Sequence, residues 1–347
     1  MSSKPEISVI IPNYNYGVYL ANCFDSILAQ TYHNIEVIFR DNNSTDSSMD
    51  IAMEYYKKFK EKGIPFLIAN NRYNVGSDQN TNMCLNTATG KYIYVLASDD
   101  YIAPRFLERC VSVLEKYPTV SMVMTHRVEV DEKGNLRKTP PFYNRDCIIR
   151  GEDQAAVFMM AGIAVPCQRM VNTTLSRKTN SYIRVHNVAG DWYNNFLNAC
   201  SGDIAYIKEP LCYYRVHSGN ETSNSEDNLV GSFEHYLLLD SFVNISTAMG
   251  MKKPQIRYDD AIKKLGSMCL RYAMKMYENE KNKEAKRYLR LALVYDENIE
   301  NIDTYQELWN MREQCGDILK ESIHNYKKKF ELNRTTSYAP PEGSIEI

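Results

Sequence analysis

Short apolar runs alternate with helix-spaced segments through the first half of this chain, and that alternation limits its fold more than any other feature. Residues 7–12, ISVIIP, are apolar without a break, as expected of a strand buried on both faces. Over residues 19–30, Leu20, Cys23, Phe24, Ile27 and Leu28 share one helical face. Further strands are predicted at 35–39, 65–69, 91–98 and 121–126, with helices at 46–60, 76–88 and 105–116 between them. Ser44 or Asp46 is the expected cap of the second helix. Strand-helix-strand order of this kind implies a mostly parallel central sheet covered by helices on both faces.

In such sheets ligands collect at the carboxyl ends of the strands, so the residues leaving each strand are the candidates for chemistry. They are Pro12-Asn13-Tyr14-Asn15, Arg40-Asp41-Asn42-Asn43, residues 70–74, and Ser98-Asp99-Asp100. All four exits are polar and two are acidic. The fourth is the sharpest: YIYVLASDD ends a strand built for burial on two adjacent carboxylates. Such a pair repels unless a cation sits between them or one takes a proton. A cation held by one or two carboxylates and phosphate oxygens suits Mg2+ or Mn2+. The plainer reading is a helix cap ahead of Pro104. Asp41 likewise has a plainer reading, as the side-chain acceptor of a turn in DNNS.

The chain has 347 residues, enough for a large domain and a smaller one. Its formal charge of -2 gives no bulk signal for nucleic acid. Its 26 tyrosines would suit a sugar-lined cleft. Nine cysteines are scattered without a CxxC, and the first residues are polar with no signal-peptide pattern. This reads as a reduced, cytoplasmic protein, with no apolar run near the roughly 20 residues of a bilayer span.

The back of the chain is different. Strands are expected at 204–208 and 213–217, and a polar linker at 218–228. Helical spacing then runs to about residue 329, and the last residues look frayed. Residues 261–278 and 283–295 form a helical hairpin whose spacing resembles one tetratricopeptide unit, with no second copy. The domain boundary is drawn at 225/226, giving domains 1–225 and 226–347. Between Lys252 and Arg290, 12 basic residues face 5 acidic ones, a net of +7. That segment is either a solvated face or a contact for anionic lipid, where each basic residue adds about 1 kcal/mol.

Taken in order, residues 8–46, Asn74-Val75-Gly76, Asn82, residues 88–100, Gly190-Asp191-Trp192 and residues 214–220 resemble a bacterial family-2 glycosyltransferase of the GT-A (nucleotide-diphospho-sugar transferase) fold. They span about two thirds of the chain, and the last third is not covered. The resemblance implies a mostly parallel α/β catalytic domain, to which the helical spacing adds a C-terminal α-helical domain. It also implies roles. Pro12 and Tyr14 line the nucleotide pocket, Asp41 accepts from the base, and Asp99 faces the ribose. Asp100 holds the metal that bridges the diphosphate, His217 adds a metal or diphosphate contact, and Asp191 is the catalytic base. Without the resemblance, Asp191 reads as the N-cap of a helix at 192–199.

Three positions depart from the family pattern. Ala97 stands where an acid is common. Asn80-Thr81 replaces Ala-Arg, removing a phosphate contact that Arg72 or Arg169 could supply. Gly190 replaces the Glu that usually precedes the base. The implied activity is inverting, metal-dependent transfer of a hexosyl or N-acetylhexosaminyl group. The donor is a nucleotide-sugar, expected to be a UDP-sugar. The acceptor is a saccharide or lipid-linked hydroxyl, in bacterial surface-polysaccharide or glycoconjugate assembly at the inner face of the plasma membrane. The alternative is a non-catalytic nucleotide-sugar-binding protein on the same fold. A Rossmann oxidoreductase is set aside, because no G-x-G-x-x-G follows the first strand.

Overall fold

The computed structural model describes residues 6–181, 189–217, 229–330 and 337–347. The linker expected at 218–228 therefore lies outside the described residues. The chain divides into two compact units, Met1–His217 with Thr336–Ile347, and Ser218–Thr335.

The first unit opens with β1 (Ile7–Asn13), α1 (Gly17–Leu28), β2 (Ile35–Asp41), α2 (Ser48–Glu61), β3 (Phe66–Asn70), α3 (Ser77–Thr87) and β4 (Tyr92–Val95). β1 pairs in parallel with both β2 and β4, and β2 with β3. The apolar runs have a direct cause. Ile7, Val9 and Ile11 join Phe24, Phe39, Phe59 and Phe66 on one face of the sheet. Ile10, Ile38 and Ile93 meet Cys84 and Leu85 of α3 on the other. Fully burying a side chain of this size is worth about 1.5–3 kcal/mol. α1 buries Leu20, Cys23, Phe24, Ile27 and Leu28, the predicted face.

β5 (Tyr101–Ile102), α4 (Phe106–Lys116), β6 (Val120–Val130), β7 (Leu136–Arg137), β8 (Cys147–Ile149), α5 (Gly151–Met160), β9 (Arg169–Asn172), α6 (Thr173–Ser176), α7 (Gly190–Ser201) and β10 (Asp203–Arg215) follow. Here the sheet becomes mixed. β9 lies antiparallel between β4 and β6, while β10 runs parallel to β6. With the last strand, β11 (Ile345–Glu346), the strand path is β11-β8-β10-β6-β9-β4-β1-β2-β3, with β5 beside β10 and β7 beside β6. The two short strands expected near residues 204–217 are one long strand. Its register slips at Pro210, which lacks an N–H and is tolerated at a bulge. α7 lies close to α5: a Cβ on Gly151 would stand 2.2 Å from the Ala199 carbonyl oxygen, so only glycine fits there.

The second unit is helical: α8 (Val230–Ala248), α9 (Lys252–Ile256), α10 (Tyr258–Glu278), α11 (Asn282–Tyr295), α12 (Asp303–Asn310) and α13 (Gly316–Phe330). α10 and α11 are the expected hairpin, and they bury Leu270, Ala273 and Tyr277 with Tyr288 and Leu289. The chain end is not frayed. β11 (Ile345–Glu346) pairs antiparallel with β8, and Tyr338 bridges to Tyr143 of the first unit. Ile347 packs against the core of the first unit, while Ile345 and Tyr338 stay largely exposed.

Candidate active site

β1, β2, β3, β4, β6 and β10 all point the same way, so their carboxyl ends share one edge of the sheet. β9 runs opposite, and its first residue, Arg169, therefore reaches the same edge. Three polar groups stand there.

The first lies at the exits of β1 and β2, where Asn13 and Asp41 are register partners. Asp41 is fully buried. Its Oδ1 accepts from Asn13 Nδ2 at 2.7 Å and from Ser44 Oγ at 2.6 Å, and its Oδ2 accepts from the Ser44 amide at 2.7 Å. The turn reading of DNNS is thus correct in geometry, with Asn43 in the left-handed region at φ 63°. Beside it, Asn71 donates to Asn42 and Asn80, and Asn80 donates to the Arg40 carbonyl. The Asn80 departure has a structural place in this amide ladder. Tyr14 is 43% exposed at the rim, Pro12 is half-buried, and Arg72 is exposed.

The second group answers the question of the two carboxylates. They cap no helix, because α4 begins at Phe106 after Arg105. Asp100 turns inward: it is 2% exposed, and its Oδ1 accepts from the Arg215 amide of β10 at 2.8 Å. Burial, and then the charge of Asp99, push its carboxyl well above the usual carboxylate range. Asp99 turns the other way, and its Oδ2 lies 3.1 Å from His217 Nε2. Burial raises its carboxyl too, against the lowering effect of the His217 hydrogen bond. Asp100 is thus tied to the β10 backbone, where burial favours its neutral form. Asp99 keeps a partner that is also a metal donor.

His217 is seated by residues that the sequence did not single out. Its ring lies 5.4 Å from Tyr16, edge-on, and 5.5 Å from Tyr19. Arg215 stacks over Tyr19 at 4.5 Å and donates to the Asp99 carbonyl and the Asp131 carbonyl. Arg215 is buried, so it ties the β4 exit to the end of β10 and does not present an open phosphate contact. Tyr16 and Tyr19 fall inside the stretch quoted above. Only the pairing of β10 with β5, which brings 212–213 against 101–102, could have shown that they face His217.

The third group is Asp191. α7 begins at Gly190 with no side-chain cap, so Asp191 sits in its first turn and is not the N-cap. Its side chain is 32% exposed, and Oδ1 lies 3.2 Å from Arg169 Nη2. Arg169 Nη1 donates to the Asp191 carbonyl at 3.0 Å and to Asn195 Oδ1.

A metal was expected at Asp100. That carboxyl gives one oxygen, Oδ1, to the Arg215 amide of β10. Asp99 and His217 do fit a cation, as two convergent donors whose side chains are 11% and 6% exposed. No group of three or more His, Cys, Asp or Glu suited to a metal occurs among the described residues. A hard cation that takes one or two protein donors and completes its shell with diphosphate and water needs no third.

Residues 8–173 match the family described as Glycosyl transferase family 2. Glycosyltransferase GlyG of Streptococcus pneumoniae serotype 4 is 38% identical over 241 residues, covering 69% of this chain and 68% of that protein. The chain spans only 66%, 47% and 30% of the length of the first curated relatives it matches. Among solved structures, S. aureus TarS 1-349 in complex with UDP-GlcNAc superposes with a TM-score of 0.60 at 14% identity, covering 99% of both chains. The mannosyltransferase PcManGT from Pyrobaculum calidifontis in complex with GDP-Man and Mn2+ gives 0.53 at 15% identity, covering 95% of this chain and 88% of that one. These likenesses establish the GT-A fold.

Proposed function

The chain belongs to glycosyl transferase family 2, and from that premise we propose that it moves a sugar from a nucleotide-sugar, a UDP-sugar in the first instance, to an acceptor hydroxyl with inversion. The observation that carries this reading is the convergence of Asp99 and His217 at 3.1 Å on the sheet edge that also holds Asp41 and Asp191.

Asp41, fixed by Ser44 and Asn13, shapes the loop that receives the base, with Pro12 and Tyr14 beside it. Asp99 and His217, with Asp100 beside them, would hold a Mn2+ or Mg2+ ion. Such an ion supplies Lewis-acid stabilisation of the leaving diphosphate. Asp191 takes the acceptor proton as the acceptor oxygen bonds to the anomeric carbon. The bond from that carbon to the phosphate oxygen breaks, and its electron pair leaves with the diphosphate. Attack from the face opposite the leaving group gives inversion.

The transferred group is a hexosyl or N-acetylhexosaminyl unit. The acceptor is a saccharide or lipid-linked hydroxyl of a surface polysaccharide or glycoconjugate, and the basic stretch from Lys252 to Arg290 contacts an anionic membrane surface. A thermal-shift panel of UDP- and GDP-sugars with Mn2+ or Mg2+ tests the donor. A ligand that binds only the folded state raises the midpoint, so a UDP-sugar with Mn2+ raises it more than either alone. No response to any nucleotide-sugar overturns the proposal.

A further inference from the structure

We infer that Arg169 is a positioning residue that aims the Asp191 carboxylate; this rests on Asp191 being the base. Arg169 opens β9 and is 8% exposed. Its guanidinium holds Asp191 at two places, the main-chain carbonyl through Nη1 and the carboxylate Oδ1 through Nη2. Asn195, one helical turn further along α7, accepts from the same Nη1 and donates from its own Nδ2 to the Ala164 carbonyl at 2.8 Å. The fork is thereby locked by a fully buried amide. A planar guanidinium can fix both the first turn of α7 and the rotamer of one of its side chains, which an ammonium cannot.

This arrangement separates two roles for Arg169. As a substitute for the phosphate-binding Arg missing at Asn80-Thr81, it would act on donor affinity. As the clamp on Asp191, it acts on the chemical step. A carboxylate that must meet an acceptor O–H within hydrogen-bond reach loses rate steeply when displaced, by about 100-fold for a misplacement near 1 Å.

The test measures UDP release from UDP-GlcNAc with Mn2+, using water as acceptor, for wild type, Arg169→Gln, Arg169→Lys, Asp191→Asn and the double variant Arg169→Gln/Asp191→Asn. We expect Arg169→Gln to lower kcat by about 10- to 100-fold with donor KM within about twofold, and Arg169→Lys to recover only part of the loss. In the Asp191→Asn background, Arg169→Gln adds nothing further, because the group it aims is gone. A raised donor KM with unchanged kcat, or a full additive loss in the double variant, overturns the inference and leaves the base assignment standing. A wild-type kcat for Asp191→Asn alone removes the base assignment itself. A crystal structure of Arg169→Gln gives a readout free of turnover: an Asp191 carboxylate that has moved supports the inference, and one that has not overturns it.

Discussion

Asp99 Oδ2 and His217 Nε2 lie 3.1 Å apart although 118 residues separate them in the chain. The pairing of β10 with β5 and β6 brings them together. It gives two buried, adjacent carboxylates different partners, His217 for Asp99 and the Arg215 amide for Asp100.

Asp99→Asn and His217→Ala should each weaken Mn2+-dependent UDP binding by at least about tenfold, or roughly 1.4 kcal/mol. Asp100→Asn should retain it, since an amide oxygen still accepts from the Arg215 amide. Titration calorimetry with and without Mn2+ decides; a loss at Asp100 with Asp99 unaffected would return the cation to the inner carboxyl.

Asp100 also governs stability against pH. Its folded-state proton affinity is raised by burial and by Asp99. The native chain therefore keeps a proton that the unfolded chain releases near pH 3.9, and stability falls as pH rises above that value towards the folded-state pKa. Asp100→Asn removes this dependence. Its melting temperature should match or exceed wild type at pH 7, and the gap should close towards pH 4. A variant less stable at pH 7 than at pH 4, relative to wild type, contradicts the sign.

Asp41→Ala should lower uridine affinity with or without Mn2+, because the carboxylate organises the β2 exit through Ser44 and Asn13. Leaving those buried donors unmatched also costs about 1–3 kcal/mol of folding stability, measurable by urea unfolding. An affinity loss confined to diphosphate ligands would assign the residue to the phosphate site.

Asp191→Asn should preserve the fold and donor affinity and reduce transfer by about 10²- to 10⁴-fold. A helix-capping role is not at issue, since the helix starts one residue earlier. Transfer at the wild-type rate would place the base elsewhere.

The basic helices offer a separate measurement. Co-sedimentation with vesicles should require anionic lipid and weaken as salt rises. Equal recovery with neutral vesicles argues against an electrostatic contact.

The sequence showed the strand exits well because each is a local event, an apolar run that stops on polar residues. The placing of Asp41 and Asp99 at strand exits needed only that periodicity. The separate fates of Asp99 and Asp100 were not legible, because neighbours in a strand exit point opposite ways and only the partner strand decides which side is open. Arg169 looked like a candidate phosphate ligand because a cation in sequence carries no record of its anion. The mixed half of the sheet was hidden for a similar reason. β9 has four residues, and nothing within them states that they run antiparallel to β4.

The return of residues 337–347 to β8 makes the helical unit an insertion in chain order, entered after β10 and left before β11. A truncation ending at residue 217 would strip β8 of its outer partner and leave unpaired backbone groups at an open sheet edge, the kind of surface that recruits other strands. The first unit is therefore discontinuous in sequence. Expressing it calls for splicing the two ends of the first unit together with a short linker, and cutting the gene once after β10 should give an aggregation-prone product.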